Sequence, residues 1–235
     1  TANHFWDTFD DGDMTGWTVV DLAPGPSSWT VLNGALRQGV NMGAPGLKGT
    51  YAWTGSPAWT DVAVRATAQT PDNDGVGLIA RRIADDTYYE FRVSAQIKRA
   101  RFIRMSAGEA EILWETFATY TEDVPFELEL TVKGDQFTMR LDGDVLGTVT
   151  DDAIPRGAVG VHAFWSGGVT FDDVLVRPTA GGGIICTACP PDETCGCTPN
   201  PCANGGTCVG EIAGRSCECS QFGEGDFCES KQCED

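Results

Sequence analysis

The stretch FELELTVKG (Phe126–Gly134) sets Phe126, Leu128, Leu130 and Val132 on one side and Glu127, Glu129, Thr131 and Lys133 on the other. A period of two with one apolar side is the signature of a half-buried antiparallel strand. The same pattern recurs outward from it, in DVAVRATAQ, GVGLIARR, TYYEFRVSA, ARFIRMS and AEILWETF before it, and in QFTMRL, VLGTVT, GAVGVHAFW and GVTFDDVLV after it. Turn chemistry separates these runs, as in PDNDG, KGDQ and IPRG. In FTMRLDGDVLGTVT, Asp142-Gly143 predicts the tip of a hairpin. No stretch carries the 3.6-residue period of a helix, and no repeat of propeller length is present. About a dozen strands without helices predict an all-β fold, a two-sheet antiparallel jelly-roll sandwich.

The sandwich does not extend to the end of the chain. All ten cysteines lie between Cys186 and Cys233. RPTAGGGIIC, with Pro178 and Gly181 to Gly183, reads as a short connector. The expected organisation is therefore a β-sandwich over 1–179, a Gly-rich linker over 180–185 and a small disulfide-rich module over 186–235. So many cysteines in a short segment poor in large apolar side chains describe a disulfide scaffold and an oxidising compartment, so the protein is expected to be extracellular, secreted or on a cell surface. The net charge of −18 argues against nucleic acid and against anionic lipid, both of which demand clustered positive potential. No apolar run reaches the length of a membrane span, so direct membrane insertion is not expected. There is no Asn-x-Ser/Thr site for N-linked glycan.

Two acidic clusters stand out. FDDGDMTGW puts Asp10, Asp11 and Asp13 close to Asp7, and TFDDVLV carries Asp172 and Asp173. First and last strands of a sandwich are commonly neighbours, and carboxylates crowded at a partly dry rim repel one another unless a cation joins them. Calcium, with six to eight oxygen ligands, is the ion expected there. TPDNDG supplies a second candidate through Asp72 and Asp74, beside Asp85 and Asp86, although an acidic turn would look the same. For ligand contact, Trp53 and Trp59 flank the Gly-Ser-Pro turn of YAWTGSPAWTD, where an exposed ring would stack on a sugar. QIKRARFIR adds Arg99 and Arg101, with Lys98 and Arg104 and with Arg81, Arg82 and Arg92 on segments expected to be adjacent, as partners for sulfate or carboxylate groups, although a charged edge strand would look the same.

The succession F-D-D-G-D-x-x-G-W, TPDNDGVGLIARRIADDTYYEF, DGDVLG and FDDVLV resembles the concanavalin-like, laminin-G-like jelly rolls of bacterial secreted proteins over residues 5 to 178. Its middle stretch is also similar to the lectin-like C-terminal domain of thrombospondins. That resemblance implies a carbohydrate-binding or adhesion domain with a structural calcium, for which Asp10 and Asp172 are the best matches. Cys197, Cys202, Cys208, Cys217, Cys219 and Cys228, spaced C-x4-C-x5-C-x8-C-x-C-x8-C, look like an EGF-like domain. The family's pattern implies the bridges Cys197–Cys208, Cys202–Cys217 and Cys219–Cys228. Cys186, Cys189, Cys195 and Cys233 remain, with three pairings possible. ETCGC departs from the acidic pattern of calcium-binding EGF domains.

Nucleophilic catalysis needs a base, and His4 and His162 are the only histidines. His162, in GVHAFW, reads as a strand residue, and the paired acids of laminarinase-like jelly rolls have no counterpart. No catalytic residue is assigned. The expected function is a calcium-binding recognition or adhesion module whose partner is a carbohydrate or an extracellular protein. Two other readings stay open: a secreted hydrolase acting on polysaccharides or keto-disaccharides, and a structural portion of a larger surface protein.

Overall fold

The computed structural model describes residues 5–179, together with the backbone of four short strands in the cysteine-rich segment. The chain divides into two compact units, the first of which is Trp6–Thr179. From Phe5 onward the strands are β1 Phe5–Asp7, β2 Thr18–Asp21, β3 Trp29–Leu32, β4 Ala35–Gln38, β5 Thr50–Thr54, β6 Val62–Gln69, β7 Gly75–Ala84, β8 Thr87–Ser94, β9 Arg99–Ser106, β10 Glu109–Phe117, β11 Phe126–Lys133, β12 Gln136–Leu141, β13 Asp144–Thr150, β14 Ala158–Phe164 and β15 Val169–Pro178. No helix occurs among the described residues.

The strands form two antiparallel sheets of a sandwich. One runs β13-β12-β11-β6-β15-β4-β3, with β1 also paired to β15, and the other runs β10-β9-β8-β7-β14-β5-β2. The alternation of FELELTVK is realised in β11, where Leu128, Leu130 and Val132 are buried and Lys133 is exposed. Glu129 is buried too, because Arg140 and Arg177 hold its two oxygens at 3.0 and 2.8 Å. The β12–β13 hairpin turns at Asp142 and Gly143, both at positive φ (50° and 82°), as an Asp-Gly hairpin tip requires.

The inner faces of the sheets meet in an aromatic cluster. Phe137 of β12 packs 4.5 Å from Tyr89 and 4.9 Å from Phe102, ring centre to ring centre. The side of β8 and β9 that carries Tyr89, Phe91, Val93 and Phe102 therefore faces the other sheet. By alternation, Tyr88, Glu90, Arg92 and Ser94 stand on the outer face of the seven-stranded sheet. That face is also covered, since Tyr51, Ile79, Tyr88 and Met105 form a second buried cluster on it.

In the cysteine-rich segment, β16 Ile185–Cys186 pairs with β17 Cys197–Thr198, and β18 Thr207–Val209 pairs with β19 Ser216–Glu218. Cys208 stands opposite Cys217 in the second ladder. The side chains of the ten cysteines, with the bridges expected of them, lie outside the described residues, as does His4.

Candidate functional site

Directly opposed residues of an antiparallel ladder share a face, so the register reads out the outer surface of the seven-stranded sheet as rows. One row is His162, Gly77, Arg92, Arg101 and Glu115, crossing β14, β7, β8, β9 and β10. The next is Phe164, Gly75, Ser94, Arg99 and Phe117. In both rows β7 contributes glycine, and the consequence is spatial: a Cβ on Gly75 would lie 2.7 Å from Arg92 Cδ, and one on Gly77 would lie 2.4 Å from the Phe91 carbonyl oxygen. The two glycines leave a trough across β7, and the Arg92 side chain lies in it, its guanidinium 4.2 Å above the Phe164 ring.

Arg92 is only 3 % exposed, which a cation tolerates when its charge is matched. It donates through Nε to Glu90 Oε1 (2.5 Å), and through Nη2 to Glu90 Oε2 (2.8 Å) and the Leu47 carbonyl (2.9 Å). His162 Nδ1 sits 2.9 Å from the same Glu90 Oε1. Burial alone would raise the Glu90 carboxyl, but the charge of Arg92 and the imidazole of His162 prevail and hold it at about 2. Burial pushes His162 down, against the pull of Glu90, so the imidazole is neutral at pH 7. A buried ion pair with a neutral histidine thus fixes Arg92 in one orientation.

Above this floor opens a small cleft of about 110 Å³, walled by Arg92, Ser94 and Phe164, by Arg99 and Arg101 of β9, and by Asp74, Gln96 and Ile97 from flanking turns. Arg101 and Arg99 both donate through Nε to Glu115, at 2.6 and 3.3 Å. The Nη groups of Arg101, and Nη1 of Arg92, take no hydrogen-bond partner among the described residues. The turn bearing Asp74 is tied down from several sides. Tyr120 donates its hydroxyl to the Asp72 and Asp74 carbonyls, and the Asp72 carboxylate accepts from Asn41 Nδ2 and Gly167 N. Burial and the nearby Asp72 charge push the Asp74 carboxyl up.

Among residues singled out in the sequence, Arg99 and Arg101 therefore line the cleft. Asp72 clamps a turn there, and Asp74 stands on the cleft wall. Trp59 corrects an expectation: it is 4 % exposed, its ring lying over Gly55, and it offers no face for stacking. Trp53 is half-buried beneath the Arg82 guanidinium, 4.1 Å from its ring centre. The exposed indoles are those of Trp6 and Trp165. Arg92, expected beside the basic stretch, lines the cleft with Arg99 and Arg101; Glu90 and Phe164 had no place among the candidates, although the E-F-R step in TYYEFRV, two charges on one side of an apolar strand, carried the signal.

The terminal acids meet as the pairing of first and last strands implies, since β1 lies on β15. Burial raises the Asp172 carboxyl, and the charges of Asp173, Asp10 and Asp7 add to the rise. Asp173 stands at a positive φ of 49° where the register of β15 against β6 shifts. The members differ in what they have left to offer a cation. Asp7 uses both oxygens internally, for Phe9 N and for Trp17 Nε1, each at 2.8 Å. Asp11 and Asp13 cap their own turn by accepting from Asp13 N and Thr15 N. Asp10 accepts from Thr8 Oγ1 and Asp172 from Asp173 N, each through one oxygen. Among the described residues no three His, Cys, Asp or Glu side chains group as metal ligands. Any calcium here would draw most of its ligands from carbonyls and water, with Asp10 and Asp172 supplying the charge.

No protein-family model matches the chain, and no curated protein sequence matches it. Its fold is that of a broad set of solved structures. A carbohydrate-binding module, CBM66 of Bacillus subtilis, is 19 % identical with a TM-score of 0.60, over 70 % of this chain and 96 % of that one. The exoplasmic/lumenal domain of VIP36 in a Ca2+- and mannose-bound form is 11 % identical with a TM-score of 0.54, over 73 % and 86 %. The Bacillus licheniformis β-glucanase is 12 % identical with a TM-score of 0.53, over 76 % and 99 %. These likenesses establish the fold, a two-sheet antiparallel jelly-roll sandwich.

Proposed function

We propose that the sandwich is a non-catalytic carbohydrate-recognition domain whose site is the arginine-walled cleft and whose ligands are sugars bearing carboxylate or sulfate groups. The observation that carries this is the unused donor capacity of Arg92 and Arg101 at the base of the cleft, in guanidiniums already fixed by Glu90 and Glu115. Planar, pre-oriented N–H pairs suit the paired oxygens of such anions. The carbohydrate-binding module and the mannose-bound domain of like fold lend the choice of sugar their support.

Hydrolysis of a glycosidic bond needs two working carboxyl groups, one of them a proton donor. Glu90, held at about 2 and clamped by Arg92, donates no proton near neutrality, which leaves Asp74 alone on the cleft wall. Calcium at Asp10 and Asp172 is assigned the task of stabilising the rim. The disulfide-dense EGF-like module, with an extracellular location and an extracellular protein partner, belongs to the same proposal.

Binding of the full chain to an array that pairs uronate-containing and sulfated glycans with their neutral counterparts tests the reading. Selective retention of the anionic members, weakened at least tenfold by Arg101→Ala without loss of fold, is the expected outcome. Equal binding of neutral counterparts, or sugar cleavage during the incubation, refutes it.

A further inference from the structure

We infer that the cleft continues past Phe164 onto Trp165, whose indole forms a stacking subsite, so that the ligand is a chain of at least two sugar units and not a single terminal one. The inference rests on the carbohydrate reading of the cleft and adds a second point of contact to it.

Trp165 follows the last residue of β14, and its ring meets that of Phe164, a wall of the cleft, edge to face with centres 6.4 Å apart. It is 41 % exposed, in a molecule that buries Trp17, Trp29 and Trp59. Exposure alone would mean little. The ring, however, is held. A Cβ on Gly43 would lie 2.6 Å from Trp165 Nε1 and 2.7 Å from both Cδ1 and Cε2, three atoms of the five-membered ring at almost one distance. Such equal approach places the Gly43 backbone over the ring's face, and only glycine fits there. With 41 % of the residue still exposed, the ring keeps surface open to a ligand.

The backbone is set to match. Trp165 has a φ of 53°, a left-handed conformation rare and strained for a bulky residue. Its N–H donates to the Met42 carbonyl at 2.8 Å. The Asp72 carboxylate bonds Asn41 on one side and Gly167 on the other, joining the two segments that cradle the ring to the turn that carries Asp74. A strained residue, locked against a glycine and presenting an apolar ring to water beside a polar cleft, is arranged as a platform for the apolar face of a sugar ring. Phe164 links the two points of contact, lying under the Arg92 guanidinium and meeting the Trp165 ring edge to face, so a neighbouring unit of a chain whose charged unit lies on Arg92 and Arg101 is the one that would reach the indole.

Calorimetric titration of the full chain with galacturonic acid and with its α-1,4-linked dimer and trimer tests the subsite, using Trp165→Ala, Trp165→Phe, Phe117→Ala and Arg101→Ala variants whose folding is confirmed by melting curves. The wild type is expected to bind the trimer at least tenfold more tightly than the monomer. Trp165→Ala removes that gain and leaves the monomer unchanged, Trp165→Phe keeps most of it, and Arg101→Ala weakens every ligand. A trimer unaffected by Trp165→Ala, a gain lost instead in Phe117→Ala, or equal losses for monomer and trimer in Trp165→Ala each overturn the subsite while leaving the cleft intact. Absence of binding by any galacturonide, wild type included, overturns the anionic-sugar reading and the subsite with it.

Discussion

The arginine cleft and the acidic rim are both crowded with charge, yet they balance it in opposite ways. In the cleft each cation has a carboxylate: Arg92 has Glu90, and Arg99 with Arg101 has Glu115. At the rim Asp172 is partly buried with Asp173, Asp10 and Asp7 nearby, and burial first, then their charges, raise its proton affinity. A charge in the first region is part of what keeps the sheet closed. A charge in the second is a burden on the fold until something positive arrives.

The contrast predicts mutations of opposite sign. The largest effect belongs to Glu90→Gln, which leaves the Arg92 charge buried without a counterion beside a neutral His162, and denaturant unfolding is expected to lose about 3–5 kcal/mol. The same pair governs acid behaviour. A carboxyl lowered from 4.5 to about 2 contributes stability that is fully present above pH 4.5 and is lost as pH falls toward 2. Stability in the wild type should therefore decline through that window, and the decline should flatten in Glu90→Gln. A variant as stable as the wild type would mean that the buried pair is dispensable.

Calcium comes second. An ion bound only by the folded state, at a hundredfold excess over its dissociation constant, adds about 2.7 kcal/mol, or about 5–10 °C in Tm for a unit of this size. Melting with millimolar calcium and with chelator, disulfides intact, reads this out, and identical curves would leave the rim without a cation. The smallest effect carries the most informative sign. A carboxyl raised in the folded state stabilises at low pH and loses that contribution as pH rises through its folded value. Asp172→Asn should therefore raise Tm by about 1 °C at neutral pH in chelator, while abolishing any calcium response. A fall in Tm would break the comparison between the two regions.

How much of this was legible follows from the kind of signal each part carries. Strands β6 to β15 announce themselves because each has a run of six or more residues in which alternation can be counted. Strands β1 to β4 have only three or four residues each, interrupted by Gly, Pro and Ser, and periodicity has too few points to act on. The adjacency of the terminal acids was legible because sandwich topology pairs first and last strands. The cleft was legible only in its arginines, Arg99 and Arg101 of one basic stretch and Arg92 of the strand before it. Its floor draws on Glu90 and Arg92 from β8, Phe164 from β14 and two glycines from β7, and only the register of three strands brings them together. That Trp59 is covered and Trp165 exposed was not legible for a similar reason: each ring lies against a glycine, Gly55 or Gly43, and the sequence does not show how much else packs on it.

The position of β15 has a consequence for biosynthesis. It is the last strand of the sandwich to be synthesised, yet in its sheet it lies between β6 and β4, with β1 also resting on it. Until residues 169–178 have left the ribosome, β6 and β4 have no strand between them, and the eight-stranded sheet exists only as separate pieces with open edges. Closure joins segments more than a hundred residues apart, the kind of pairing that is slow to form. The nascent chain therefore stays unfinished until the whole unit has been made, and during that interval the unpaired edges of β6 and β4 are where a chaperone would have to hold it.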